Sequence, residues 1–304
     1  MKIAVEFPSV AFREGPKKVA DLARAIEEIG YDELAVFDHV IMGYPTETRK
    51  APMYPPQMPI LEALVMLGFA AAVTERVSLS TEVLVLPQRQ PVLVAKQVST
   101  IDTLSAGRMR LGVGVGWQQA EFDALNETWS NRGKRMDEAI KLMRAYFADE
   151  KVEFHGEFYD SDAIAMEPKP PQGAKLPIWI GGFSAAALRR TGELGDGWMG
   201  GHDVTDEKTM ENMDTIRRHA EAAGRDPSSI GMQLMLAPPP RDAEGKTFYT
   251  DHDRVVRRAE KVKAMGCDWT AVNATAIFQA GARSTDAMAE QLAALHSKLR
   301  SAVG

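Results

Sequence analysis

Apolar and polar positions follow two alternating rhythms along almost the whole chain. Short apolar runs, such as KIAVEF at 2–7 and ELAVFDHV at 33–40, are separated by longer stretches whose apolar residues return at spacings of three and four. The first rhythm predicts buried strands, the second helices with one buried face. In PKKVADLARAIEEI (16–29) the helical spacing begins at Pro16, a natural first helical residue, and stops just before Gly30. The same reading predicts a helix at 60–74, a strand at 76–86, a helix at 91–104, a strand at 109–115, and helices at 118–126 and 132–148. Across about 150–176 the periodicity fades, and the segment reads as an inserted excursion. Regularity returns with strand 177–181, helix 184–194, strand 197–200, helix 206–223, strand 230–237, helix 252–265, strand 268–275 and helix 285–301.

Strands that each lead into a helix predict a parallel sheet with crossovers, and eight such units close most readily into a barrel. The expectation is a single α/β domain over residues 1–304, a (βα)8 TIM barrel with its insertion after the fourth strand–helix unit. A doubly wound open sheet is the structural rival on strand count alone. Residues 41–59, rich in proline, tyrosine and methionine, are too long for an ordinary connection and point to a functional loop.

Composition narrows the function classes. Apolar residues make up 45% of the 304 positions, enough for a large core. The net charge of −6 with dispersed basic residues argues against a nucleic-acid binder. The single cysteine, Cys267, excludes an intramolecular disulfide framework, a CxxC redox pair and a cysteine-rich metal centre. No apolar run approaches the ~18 residues of a membrane span, and the N-terminus lacks a basic segment followed by an apolar one. A cytoplasmic protein without a membrane partner is expected. His155, His202, His219, His252 and His296 show no metal-ligand spacing, so no metal is expected; His202, after the strand GWMGG, lies within reach of a barrel mouth.

In a barrel of this kind the chemistry sits at the C-terminal ends of the strands. The second strand ends in Asp38-His39, and neighbours on a strand face opposite ways. The third carries Ser80, Thr81 and Glu82 between apolar stretches. The fourth alternates Gly112, Gly114 and Gly116 before Trp117, which strips side chains from one face, as where another backbone or a flat ligand approaches closely. These glycines do not spell a dinucleotide fingerprint, and a bare wall beside a flat ring is the better fit. Gly181-Gly182 and Ser184, between a strand and an alanine-rich helix, suit a phosphate; a simple serine-capped helix is the other reading. Position 187 is alanine, so no capping box claims the donors of that helix. Arg132 and Arg135 begin a helix and pair with its acids.

Taken together, FDHV, LVLPQRQPV, KQVSTIDTLSAGRMRLGVGVGW, RGKRMDE, PKPP, PIWIGGFS and GDGW resemble the luciferase-like monooxygenase superfamily, and most of all its F420-dependent (deazaflavin) oxidoreductase branch. The resemblance covers almost the entire chain and implies a (βα)8 barrel that transfers a hydride between F420 and a small organic substrate. It implies His39 as the proton-transfer residue with Asp38 as its polar neighbour, and a non-prolyl cis peptide at Glu82-Val83 beneath the coenzyme ring. The coenzyme site it implies comprises Thr81, Glu82, Val83, Gly114, Gly116, Trp117, Gly181, Gly182 and Ser184. It also implies a homodimer. One departure matters: alcohol and sugar-phosphate dehydrogenases of that branch carry tryptophan shortly after the histidine, whereas this chain has Gly43 and Tyr44. The alternatives are an FMN-dependent monooxygenase served by a separate flavin reductase, and a non-catalytic coenzyme-binding barrel.

Overall fold

In a computed structural model, which describes residues 1–52, 54–201, 205–237 and 247–304, parallel strands close into a ring. The barrel strands are β1 (Lys2–Glu6), β2 (Glu33–Val36), β3 (Ser78–Thr81) with its continuation β4 (Leu84–Val85), and β5 (Met109–Gly114). After the excursion come β8 (Ile178–Gly181), β9 (Gly197–Gly200), β10 (Gly231–Met235) and β11 (Trp269–Asn273). The hydrogen-bonded order is β3-β2-β1-β11-β10-β9-β8-β5, and β3 pairs with β5 to close an eight-stranded barrel, which settles the choice against an open sheet.

Helices α1 (Pro16–Ile29), α2 (Ala63–Val73), α3 (Pro91–Leu104), α4 (Gln119–Ala124) and α5 (Arg132–Ala148) surround the first half. The second half carries α6 (Ala185–Leu194), α7 (Asp206–Ala222), α8 (His252–Ala264), α9 (Ala274–Gln279) and α10 (Thr285–Val303). Their starts follow local chemistry. Gly30 ends α1 at φ 100°, and Ser184, Thr205, Asp251 and Ser284 each accept a backbone N–H in the first turn of the helix they precede.

Four details depart from the periodicity reading. The third strand is not continuous, because its backbone breaks at the cis Glu82-Val83 peptide. The excursion holds an antiparallel hairpin, β6 (Val152–His155) with β7 (Asp160–Ile164), of which little faces a core, so its alternation is weak. The last strand stops at Asn273, whose side chain caps the unpredicted short helix α9. Finally, α2 is apolar on every side, with Val65 and Phe69 exposed one turn apart. A helix apolar all round calls for cover on all faces.

Polar groups stack inside the barrel. Buried Arg110 on β5 donates from Nε to Glu33 Oε2 at 2.7 Å and pairs through Nη2 with Glu33 Oε1. Ser80 Oγ donates to the same carboxylate at 2.7 Å. Nη2 of Arg110 also reaches Gln233 Oε1 at 2.6 Å, and Gln233 Nε2 donates to Glu82 Oε1 at 2.8 Å. The guanidinium lies over the rings of Trp179 and Trp269, 4.2 and 4.3 Å from their centroids.

Candidate active site

A cavity of about 450 Å³ opens where the barrel strands end. That volume falls within the range of small-molecule and cofactor sites. Asp38, His39, Glu82, Val83, Gly114, Gly116, Trp117, Gly181, Gly182 and Ser184 all line it. Thr81 does not. Its side chain is buried and donates to the Gly112 carbonyl at 2.6 Å, tying β3 to β5.

The two polar neighbours at the end of β2 have separate partners, as their alternation on the strand demands. Asp38 receives both terminal nitrogens of Arg89, at 2.7 and 2.8 Å, and the Val85 N–H at 2.9 Å. Its carboxylate is fully enclosed by these contacts and offers no exposed oxygen to a reactant. His39 instead meets Glu121, with 2.9 Å between Nδ1 and Oε2. The other oxygen of Glu121 accepts the N–H of Val40 at 2.8 Å. Burial works to raise the Glu121 carboxyl, but the His39 ring and the Val40 N–H outweigh it and leave the group below its ordinary value. An ionised partner favours the tautomer protonated at Nδ1, which leaves Nε2 with its lone pair. Among the described residues Nε2 has no hydrogen-bond partner.

Aromatic rings enclose the histidine. Trp117 stands edge-on at 5.1 Å between centroids, and Tyr54, from the long 41–59 loop, at 5.8 Å. That loop is anchored by Gln118, which accepts the Gly43 N–H at 2.7 Å and donates to the Ile41 carbonyl at 2.9 Å.

Of the two causes the glycine pattern suggested, close approach by a neighbouring strand is the one the structure shows. A Cβ on Gly112 would lie 2.1 Å from the Thr81 carbonyl oxygen, one on Gly114 would lie 2.7 Å from Val83, and one on Gly116 2.7 Å from Val85. The bared strand is a seat for the kinked strand beside it. Only the remaining edge, at Gly114 and Gly116, reaches the cavity. At the second glycine pair, Gly182 has φ 114° and its carbonyl accepts the Trp198 Nε1–H at 2.7 Å. Ser184 Oγ accepts the Ala187 N–H at 3.2 Å, so the serine-cap reading holds, and one donor of that helix is taken.

Two carboxyl groups stand at the cavity floor. Glu6, at the end of β1, accepts Asn273 Nδ2 at 2.8 Å, and burial, reinforced by Glu82, pushes it well above the ordinary range. Burial pushes Glu82 up to about 7; the Arg110 guanidinium opposes that rise and Glu33 adds to it. Cys267 is buried, and that burial pushes its thiol up to about 12, which suits packing. Arg135 is tied to Glu127 and Asn131, and Arg132 lies over Trp129, 3.5 Å from its centroid. His202 lies outside the described residues. Among the described residues no cluster of three or more His, Cys, Asp or Glu is placed to hold a metal, and no helix is long and apolar enough to cross a membrane.

Glu121, Tyr54 and Glu6 escaped the sequence reading. Glu121 sits in QQAEFDAL, where an acid in a first helical turn looks like an ordinary solvated residue. Its one signal was two apolar neighbours, Ala120 and Phe122, that are both buried.

The family model of luciferase-like monooxygenases matches residues 6–244. An uncharacterized protein of Mycobacterium tuberculosis is 36% identical over 212 residues, 67% of this chain and 72% of that protein. An F420-dependent glucose-6-phosphate dehydrogenase of Nocardia farcinica is 30% identical over 246 residues, 76% of this chain and 67% of that enzyme. An F420-dependent secondary alcohol dehydrogenase, solved with an F420–acetone adduct, has the same fold, with a TM-score of 0.78 at 19% identity over 98% of this chain and 99% of that one.

Proposed function

This chain belongs to the luciferase-like monooxygenase family, and we propose that within it the protein is an F420-dependent oxidoreductase acting on a small organic substrate. The observation that carries this reading is the His39–Glu121 pair, an oriented imidazole whose second nitrogen is left for a ligand in an aromatic-walled cavity. The cavity suits a flat ring system, because Gly114, Gly116, Gly181 and Gly182 offer only backbone edges to it, beside the Val83 side chain that takes up the side-chain directions at 114 and 181. A bound deazaflavin supplies the hydride transfer at its central ring carbon.

The chain's own residues supply the rest. His39 accepts or donates the substrate's proton at Nε2, and Glu121 holds the ring at one angle and stabilises it when charged. Asp38 acts as a positioning residue, because its salt bridge to Arg89 fixes the end of β2 on which His39 stands. Trp117 and Tyr54 cover the imidazole and exclude water from it. Gly181, Gly182 and the remaining donors at the start of α6 hold the coenzyme phosphate. Gly43 and Tyr44, which stand where that branch carries tryptophan, do not line the cavity, and the aromatic wall beside His39 comes from Tyr54 and Trp117 instead.

Fluorescence titration of the purified protein with F420 and with FMN tests this reading. Micromolar affinity for F420 and much weaker binding of FMN is the expected result. A preference for FMN would move the assignment to a two-component monooxygenase with a separate reductase. Binding of neither would return the barrel to a non-catalytic role.

We further propose that a second copy of the chain covers α2, where Val65 and Phe69 share one exposed face and the neighbouring α3 exposes Leu93. Like faces of this kind meet about a two-fold axis. Sedimentation equilibrium at micromolar concentration is expected to give a dimer, and Val65→Asp a monomer; a monomeric wild-type protein would refute the assignment.

A further inference from the structure

Glu82 has an unusual place in this barrel. It stands at the kink between β3 and β4 and lines the cavity beside Glu6. Its Oε1 accepts the Gln233 amide at 2.8 Å, while its Oε2 is buried with no hydrogen-bond partner. An ionised oxygen in that position would be both desolvated and unpaired, a costly combination that protonation relieves. Once protonated, Oε2 carries a donor hydrogen that no described protein group accepts. An unsatisfied donor at the edge of a ligand cavity is completed by what the cavity binds.

We propose that Glu82 is a protonated-carboxyl donor, and that it gives a hydrogen bond from Oε2 to a neutral acceptor, a carbonyl oxygen or ring nitrogen, on the molecule seated against the cavity floor. The proposal deepens the coenzyme reading and rests on it. The groups facing Glu82 favour the neutral form on balance. Glu6 comes from β1, Glu33 from β2 and Tyr249 from the segment before α8, and among the described residues Arg110 on β5 is the one cation, already paired with Glu33. Burial moves the titration of Glu82 to about pH 7, within reach of ordinary buffers. Among the described residues the floor offers no cation beyond the Glu33-paired Arg110 to offset a buried ligand charge, so it selects an uncharged edge and leaves phosphate and carboxylate groups to the mouth.

Binding then takes up a proton wherever free Glu82 is ionised. Titration calorimetry with F420 as the probe, in two buffers of different ionisation enthalpy, reads that proton directly. Wild-type protein is expected to take up close to one proton per coenzyme at pH 8.5 and little at pH 6. Affinity should fall by up to about fiftyfold between pH 7 and 9, approaching tenfold per unit well above the titration point. Glu82→Gln keeps the shape of the side chain but cannot ionise, so uptake and this part of the pH dependence should vanish. Infrared spectra of the unliganded wild type at pH 6 should show a protonated-carboxyl band that is absent in Glu82→Gln, retained in Glu6→Gln, and shifted when F420 is added. Binding of F420 without proton uptake, uptake that persists in Glu82→Gln, or a missing Glu82 band would each overturn the proposal while the coenzyme reading stands. Fluorescence on the same samples identifies the other failure, in which F420 does not bind and both readings fall.

Discussion

His39→Ala is expected to lower turnover with F420 by about 10²–10⁴-fold, the usual worth of a positioned general acid or base, while coenzyme affinity stays within a few fold. The reason lies in how Glu121 is shared. One oxygen serves the imidazole and the other serves the backbone N–H of Val40, so removing the ring leaves the carboxylate tied to the loop it anchors. Gln118 holds Gly43 and Ile41 independently of the histidine. The loss should therefore be chemical, not a collapse of the mouth. Single-turnover kinetics and fluorescence titration of the same preparation check it. A variant that binds F420 and turns over at the wild-type rate would remove His39 from the mechanism.

The second large effect concerns stability. Arg110→Met is expected to cost about 3–5 kcal/mol, the range found when one partner of a buried ion pair is removed. Methionine fills much of the space between Trp179 and Trp269, so lost packing is the smaller part. The larger part is Glu33, fully buried and left with Ser80 Oγ as its remaining side-chain donor. For a domain of ordinary stability, about 5–15 kcal/mol, that loss is severe. Urea denaturation would measure it, and adding Glu33→Gln should recover a substantial part by removing the stranded charge. A single variant within about 1 kcal/mol of wild type would mean that solvent or a neighbour neutralises Glu33.

Much of this architecture was legible because barrels write themselves in two periods. Each barrel strand lies where apolar runs predicted it, and the ends of those strands carry His39, Glu82, Trp117 and the glycine pairs that meet at the cavity. What stayed hidden depends on non-local contacts. The glycines of β5 announced a close approach, but only the closed sheet shows that Thr81, Val83 and Val85 make it. Thr81, a natural candidate from its place on the strand, is used up in joining β3 to β5. Asp38 and His39 look equivalent in sequence, and Arg89, 51 residues away, separates their roles. Glu121 is 82 residues from the histidine it orients, and Tyr54 reaches the site from a stretch with no periodicity at all.

Val83 couples three parts of the wall in a way that constrains any redesign. Its two methyl groups fill the space that side chains at 114 and at 181 would need, with closest approaches of 2.7 and 2.9 Å. The three positions thus share one fixed volume across β5, β8 and the kink between β3 and β4. A methyl group gained at either glycine requires one surrendered at Val83, and the wall changes shape by exchange among the three and not by addition at any one. Attempts to narrow the cavity from the glycine side alone would push the kink off its seat before they touched a ligand. Paired libraries that trade bulk between 83 and its two neighbours would explore new pocket shapes on an intact barrel.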